Sequence, residues 1–252
     1  MEEKKEMNVY LYVFMLTAVT AFILSLLFTN LNPVFVANKA EAKKKAILSC
    51  VPDSLDLSSK EKISEAYQQI TMYAVSAEGN AYQGDSISLQ TINAMAIGGA
   101  KPYKNLAELE LANEEKKEAA DRVYPVYKYE SDTSKYYIVA IRGNGLWDKI
   151  WAYVALEADL NTIAGIYFDH KAETPGLGAE IKDSEAFKQQ FIGKKVFDGS
   201  KVAFTVLKRI KKGDYFVKGI AGATITSDGV TDMFASGMDY YKSHFSVLKN
   251  KK

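Results

Sequence analysis

The chain has 252 residues, 48% hydrophobic and 25% charged, with a formal net charge of +1 at pH 7. That is room for one sizeable domain and an appendage, and so neutral a balance leaves no electrostatic case for a nucleic-acid partner. One cysteine, Cys50, excludes an internal disulfide framework and a Cys-rich zinc or iron–sulfur site, while His170 and His244 lie too far apart for metal-ligand spacing. Nothing places a serine, a histidine and an acid together, so redox or group-transfer chemistry here uses a borrowed cofactor or happens elsewhere.

From Val9 to Thr29 the sequence VYLYVFMLTAVTAFILSLLFT carries no charge. About 20 such residues suffice for a helix to cross the hydrocarbon core of a bilayer. Asn30-Leu31-Asn32-Pro33 does not resemble a small-x-small cleavage site, so the segment reads as an uncleaved anchor. Lys4 and Lys5 precede it, and Lys39, Lys43, Lys44 and Lys45 follow. On lysines alone, the positive-inside rule leans towards an outside N-terminus.

Beyond the anchor, Ala37–Val51 and Ser58–Gln69 read as helices separated by Pro52-Asp53, with Ser58-Ser59 as a cap before Lys60 and Glu61. Leu106–Arg122 is predicted as a third, highly charged and solvated helix. The pattern then changes to short segments rich in Val, Ile, Tyr and Phe: 123–129, 136–141, 151–157 and 162–169, punctuated by Gly, Asn and Asp as antiparallel strands are. A short helix at 184–191, strands at 201–208 and 214–220, and a last helix from a Ser227 cap to about Tyr241 complete the reading. Strands and helices are segregated, which predicts an α+β fold with a mostly antiparallel sheet flanked by helices. The expected division is a tail and anchor at 1–35, a helical join at 36–122 and a core at 123–252.

Three loops carry the candidate chemistry. Arg142-Gly143-Asn144-Gly145-Leu146-Trp147 reads as a hairpin turn in which glycine supplies positive φ, followed by two large apolar side chains where solvent is expected. In Ala172-Glu173-Thr174-Pro175-Gly176-Leu177-Gly178, Pro175-Gly176 suits the centre of a type II turn that presents Leu177. The third, Gly219–Ser227, is a strand end entering a helix. There the free N–H groups and the partial positive charge favour an anion such as phosphate. Gly222 and Ala223 keep bulk away from that spot, and Thr224 and Thr226 bring hydroxyls to it.

Taken together, GNGLW at 143–147, ETPGLG at 173–178 and AGATIT at 221–226 resemble the C-subunit family of the sodium-translocating NADH:quinone reductase, whose members have an FMN-binding domain. The likeness covers the anchor and nearly all of the chain after about Val123. It implies that a separate flavin transferase links FMN through its phosphate to Thr224, the threonine of the GAT triplet. Leu146 and Leu177 would pack on the isoalloxazine, and Glu173 and Thr174 would bond its polar edge or the ribityl chain. Gly145, Trp147, Gly176, Gly222, Ala223 and Thr226 complete the implied cofactor site, with Lys208 or Lys218 as counter-charge to the phosphate. The family's target usually has an aspartate three residues before the Ser or Thr of S/T-G-A-T. Here Lys218 stands in place of that aspartate and Ala221 in place of the Ser or Thr, at positions that help the transferase recognise its target.

The resemblance further implies one subunit of a multi-subunit pump in the bacterial cytoplasmic membrane, relaying electrons as NADH is oxidised, quinone reduced and sodium moved. It places the soluble domain on the outer, periplasmic side, against the lysine count. No GxGxxG follows a strand, so NADH itself would bind elsewhere. Two alternatives stay open. One is the flavoprotein subunit of the related ferredoxin:NAD electron-transport complex, which shares the GAT loop. The other is an anchored assembly protein whose loop is never flavinylated.

Overall fold

The computed structural model describes residues 2–76, 123–209 and 211–250. It forms two compact units, Met1–Lys43 and Lys44–Lys252. The predicted helix at 106–122 lies outside the described residues.

Helix α1 runs from Glu2 to Leu48, 47 residues without interruption. The expected anchor and the helix predicted from Ala37 are therefore one element. Pro33 does not end it, although its ring leaves the Thr29 carbonyl without the usual helical donor. At 1.5 Å per residue α1 is about 70 Å long, more than twice the roughly 30 Å of a hydrocarbon core. Its large apolar side chains from Val9 to Val36 are exposed, and the most apolar window has no protein cover. A helix apolar on all sides and uncovered by protein suits lipid, and this one fits a membrane anchor.

In the second unit, α2 (Lys60–Tyr67) starts at Ser59, whose hydroxyl accepts from the Lys62 N–H at 3.3 Å. Five strands follow: β1 (Ile70–Ser76), β2 (Val123–Glu130), β3 (Lys135–Asn144), β4 (Lys149–Leu156) and β5 (Ile163–His170). They form one antiparallel sheet in the order β1-β2-β3-β4-β5. The strands predicted at 123–129, 136–141, 151–157 and 162–169 are all present as β2 to β5, whereas β1 falls in the expected helical join, just after the helix predicted to end at Gln69, where no element was expected.

Side chains alternate across the strands, and both faces are buried. Tyr137, Val139 and Ile141 of β3 join Ile150, Ala152 and Val154 of β4 and Phe168 of β5 in one core. Ile138, Tyr127, Tyr153 and Ala155 point the other way, against Ile47, Cys50 and Val51 from the end of α1 and just beyond. Burial on both faces explains why these strands read as nearly continuous apolar runs.

Two short helices, α3 (Glu180–Asp183) and α4 (Glu185–Gln189), come next, the second capped by Ser184 accepting from the Phe187 N–H at 3.2 Å. Strands β6 (Phe197–Asp198) and β7 (Lys201–Val202) pair antiparallel, and β8 (Thr205–Leu207) and β9 (Phe216–Lys218) pair parallel. The strand predicted at 201–208 is thus two shorter ones. The last helix, α5, runs from Thr224 to Asn250, longer at both ends than expected. Its Val230, Met233, Phe234, Met238 and Tyr241 are fully buried against the first face of the sheet. The Tyr241 hydroxyl reaches the Pro125 and Ala140 carbonyls at 3.1 and 3.0 Å, so the helix is held across β2 and β3 by a satisfied buried polar group. Thr231 takes the Val206 N–H at 2.9 Å, which fixes β8 beside the same helix.

Candidate functional site

The first loop is the β3–β4 hairpin. Asn144 pairs with Lys149, and the Gly145 N–H donates to the Asp148 carbonyl at 2.8 Å. Neither Gly143 nor Gly145 has positive φ, so the expected reason for these glycines is wrong. Gly145 is a glycine for space: a Cβ there would lie 2.4 Å from Glu173 Oε1. Leu146 and Trp147 stand at the tip, 48% and 67% exposed.

The second loop follows β5. The Leu177 N–H donates to the Thr174 carbonyl at 3.1 Å and Gly176 has φ of +75°, the type II turn expected of Pro175-Gly176. Leu177 is 42% exposed. Thr174 is exposed, and its hydroxyl accepts from the indole N–H of Trp147 at 3.1 Å, so this large surface ring is pinned in place.

The third loop joins β9 to α5. Gly219 N–H donates to the Leu207 carbonyl at 2.8 Å. The parallel pair therefore delivers Lys208 and Lys218, both exposed, at the end that feeds this loop. Gly222 has φ of +79°, and a Cβ there would meet Leu177 Cδ2 at 2.9 Å, so the tip of the second loop lies over it. Ala223 is buried. Thr224 opens the helix and is exposed beside Ile225, itself 58% exposed. Ser227 is not the N-cap: it lies inside the first turn, where its hydroxyl accepts from the Ile220 N–H at 3.0 Å and closes the loop. That turn contains no acidic residue, so nothing acidic there opposes an anion at the helix N-terminus.

One carboxylate joins the three loops. Glu173, 5% exposed, accepts from the Trp147 backbone N–H at 3.0 Å through Oε1 and from the Thr226 hydroxyl at 2.7 Å through Oε2. The expected role for Glu173, bonding a cofactor's polar edge, meets oxygens already engaged inside the protein. Thr226 likewise is buried and turned inward. Behind them, the Glu173 N–H donates to His170 Nδ1 at 3.1 Å, so the proton of a neutral ring sits on Nε2. Asp148, at the end of the first loop, is bridged to Lys171 at 2.8 Å. That hydrogen bond, followed by one from the Lys149 N–H, holds its carboxyl below the usual carboxylate range.

The result is an exposed hydroxyl at a helix N-terminus, flanked by four exposed apolar side chains, Leu146, Trp147, Leu177 and Ile225. Such a group of apolar side chains in solvent beside an anion-favouring turn fits a flat, phosphate-bearing cofactor. FMN fits in kind, having an apolar ring for the leucines and a phosphate for the turn. Ile225 and His170 are the residues sequence reasoning missed. Ile225 sits inside the AGATIT motif, so its apolar character in a polar loop was a usable signal.

Residues 145–239 match the family model of the FMN-binding domain. Among curated relatives, the C subunit of the Na(+)-translocating NADH-quinone reductase of Vibrio anguillarum is 37% identical over 161 residues, covering 62% of this chain and 61% of that protein. Its namesake from Neisseria meningitidis serogroup B is 36% identical, covering 61% of this chain and 62% of the relative. The match thus spans a little over three-fifths of these relatives' length. A crystal structure of the corresponding C subunit from Parabacteroides distasonis superposes with a TM-score of 0.64 at 29% identity, over 83% of this chain and 94% of that one. That of Shewanella oneidensis NqrC, at 21% identity and a TM-score of 0.63, shares the fold. On these grounds the chain has an α+β fold and is similar to the C subunit of the Na(+)-translocating NADH-quinone reductase, with residues 145–239 similar to the FMN-binding domain.

Proposed function

We propose that this chain is the C-subunit flavoprotein of a sodium-translocating NADH:quinone oxidoreductase, with FMN attached by a phosphoester to Thr224. One observation carries the reading: three loops distant in sequence meet so that the exposed hydroxyl of Thr224 opens a helix beside the exposed Leu146 and Leu177. A phosphothreonine diester needs an accessible hydroxyl, a turn free of bulk, and donors for the remaining anionic oxygen. Gly222 supplies the open turn, and the first N–H groups of α5 supply the donors. Lys208 and Lys218 emerge beside the loop as cations. The flavin supplies one- and two-electron chemistry when bound, while the protein supplies its position and surroundings.

Attachment by a separate flavin transferase fits the surroundings of Thr224, where among the described residues the first turn of α5 holds no acidic residue and the Glu173 carboxylate is engaged by Trp147 and Thr226. The other subunits of the reductase would bring NADH, the quinone and sodium. Helix α1 would hold the chain in the cytoplasmic membrane, with the residues after it on the periplasmic side. The test is direct: the full chain, expressed with a flavin transferase, should keep yellow fluorescence on its band after complete denaturation, and Thr224→Ala should not. A wild-type band without fluorescence would favour an assembly protein, for which Lys218 and Ala221 are the sequence's own argument.

A further inference from the structure

Glu173, 5% exposed, is the most deeply buried of the acidic side chains around the three loops. Its carboxylate lies in a slot cut by two glycines. A Cβ on Gly145 would come within 2.4 Å of Oε1, and one on Gly178 within 2.2 Å of Oε2. Each oxygen has one strong donor, the Trp147 N–H or the Thr226 hydroxyl. A charged acceptor makes these bonds about twice as strong as neutral ones. A buried carboxylate deprived of its donors is in turn strongly unfavourable.

The two donors are significant for where they sit. Trp147 directly follows Leu146, Thr226 is in the first turn of α5 opened by Thr224, and Glu173 shares its loop with Leu177. A single carboxylate therefore touches every segment that presents a shelf residue or the attachment hydroxyl. We propose that Glu173 is a positioning residue: its seated carboxylate sets the spacing of the Leu146, Leu177 and Thr224 loops, and acts on the flavin only through them. This rests on the reading of Thr224 as the attachment site, and it replaces a direct contact between Glu173 and the cofactor.

The chemistry distinguishes the two roles. In Glu173→Gln the amide oxygen accepts from the Trp147 N–H while the amide nitrogen donates to the Thr226 hydroxyl, so both contacts survive without the charge. Glu173→Ala loses both, and Thr226→Val loses one in a nearly isosteric way. Thr226→Ser keeps the hydroxyl. Two readings are taken on the full chain in detergent. The first is the rate of flavinylation with the transferase, together with the visible circular dichroism of the linked flavin. The second needs no flavin: the near-ultraviolet circular dichroism of Trp147 in a Thr224→Ala background, referenced to Trp147→Phe.

Glu173→Ala should slow flavinylation about ten- to a hundredfold, the worth of a hydrogen bond to a charged group, and weaken both dichroic signals. Thr226→Val should act in the same direction, and the double variant should be no worse than Glu173→Ala, since the two changes break one shared contact. Glu173→Gln and Thr226→Ser should restore all three. Flavinylation and dichroism unchanged in Glu173→Ala would overturn the proposal. So would Glu173→Gln being as poor as Glu173→Ala while Thr226→Val is silent, the pattern of direct contact with the cofactor. If no flavin is linked to the parent chain yet the Trp147 signal still depends on Glu173, the clamp stands and the cofactor reading falls.

Discussion

Gly229→Ala should destabilise this protein, although the same change in an ordinary helix stabilises it. Gly229 lies in the second turn of α5, and a Cβ there would sit 2.2 Å from the Asn144 carbonyl oxygen and 3.5 Å from Gly145 Cα. In a solvated helix Gly→Ala gains about 1 kcal/mol. Here the obstructing atom is backbone, in the hairpin held by the Gly145 to Asp148 bond, and cannot swing aside as a side-chain end would. Overpacking of this kind costs about 1–3 kcal/mol, with the upper half of that range appropriate to a backbone clash. The net loss is about 1–2 kcal/mol, or a fall in melting temperature of about 2–8 °C for a domain of this size. Thermal unfolding of the full chain in detergent, followed by circular dichroism, measures it. Ser236→Ala, on the exposed side of the same helix, is the control and should change stability by no more than about 0.5 kcal/mol. A Gly229→Ala variant as stable as the parent, or more so, would refute the close approach of helix and hairpin on which the site is built.

Leu146→Ala and Leu177→Ala, at residues about half exposed, should shift the absorption of a linked flavin while lowering stability by less than about 1.5 kcal/mol. Phe234→Ala in the core should cost about 3–5 kcal/mol. A collapsed melting curve with an unchanged flavin spectrum in either leucine variant would place them in the core instead. The Asp148 carboxyl is depressed in the folded state by Lys171 and the Lys149 N–H. Its stabilising contribution is complete above the unfolded carboxylate pKa and is lost as pH falls through the lower folded value. The acid limb of the stability–pH curve should therefore be shallower in Asp148→Asn, and a superimposable limb would contradict the bridge. For topology, Cys50 cannot report, because it is 1% exposed and burial raises the pKa of its thiol. Asp132→Cys, in the exposed β2–β3 turn, should instead react with a membrane-impermeant thiol reagent on intact spheroplasts. Reaction only after the membrane is broken would put the domain in the cytoplasm, as the lysine count suggests.

Much of this site was legible because its residues have local reasons to be where they are. Pro175-Gly176 forms the type II turn its chemistry demands, and Gly222 leaves the turn before α5 free of bulk, where a Cβ would meet Leu177. Strands β2 to β5 were legible from their β-branched and aromatic content. What escaped depended on partners far along the chain. Glu173 meets its two donors at separations of 26 and 53 residues, and no local pattern announces such a pairing. Gly145 was assigned a turn role because its real neighbour, the Glu173 carboxylate, arrives from another loop. Strand β1 was hidden although Ile70, Thr71, Tyr73 and Val75 have strand character, since it pairs with β2 across a long separation. Helix α5 begins at Thr224, three residues before the serine that looks like its cap, because Ser227 serves the loop instead.

The central claim is that Thr224 carries the flavin. After trypsin cleavage at Lys218 and Lys242, a single peptide from Gly219 to Lys242 holds Thr224, Thr226, Ser227 and Thr231. Fragment mass spectra of that peptide, from the full chain flavinylated in cells, should place an FMN phosphoester on Thr224 alone. An unmodified peptide, or FMN on Thr226, would contradict the account.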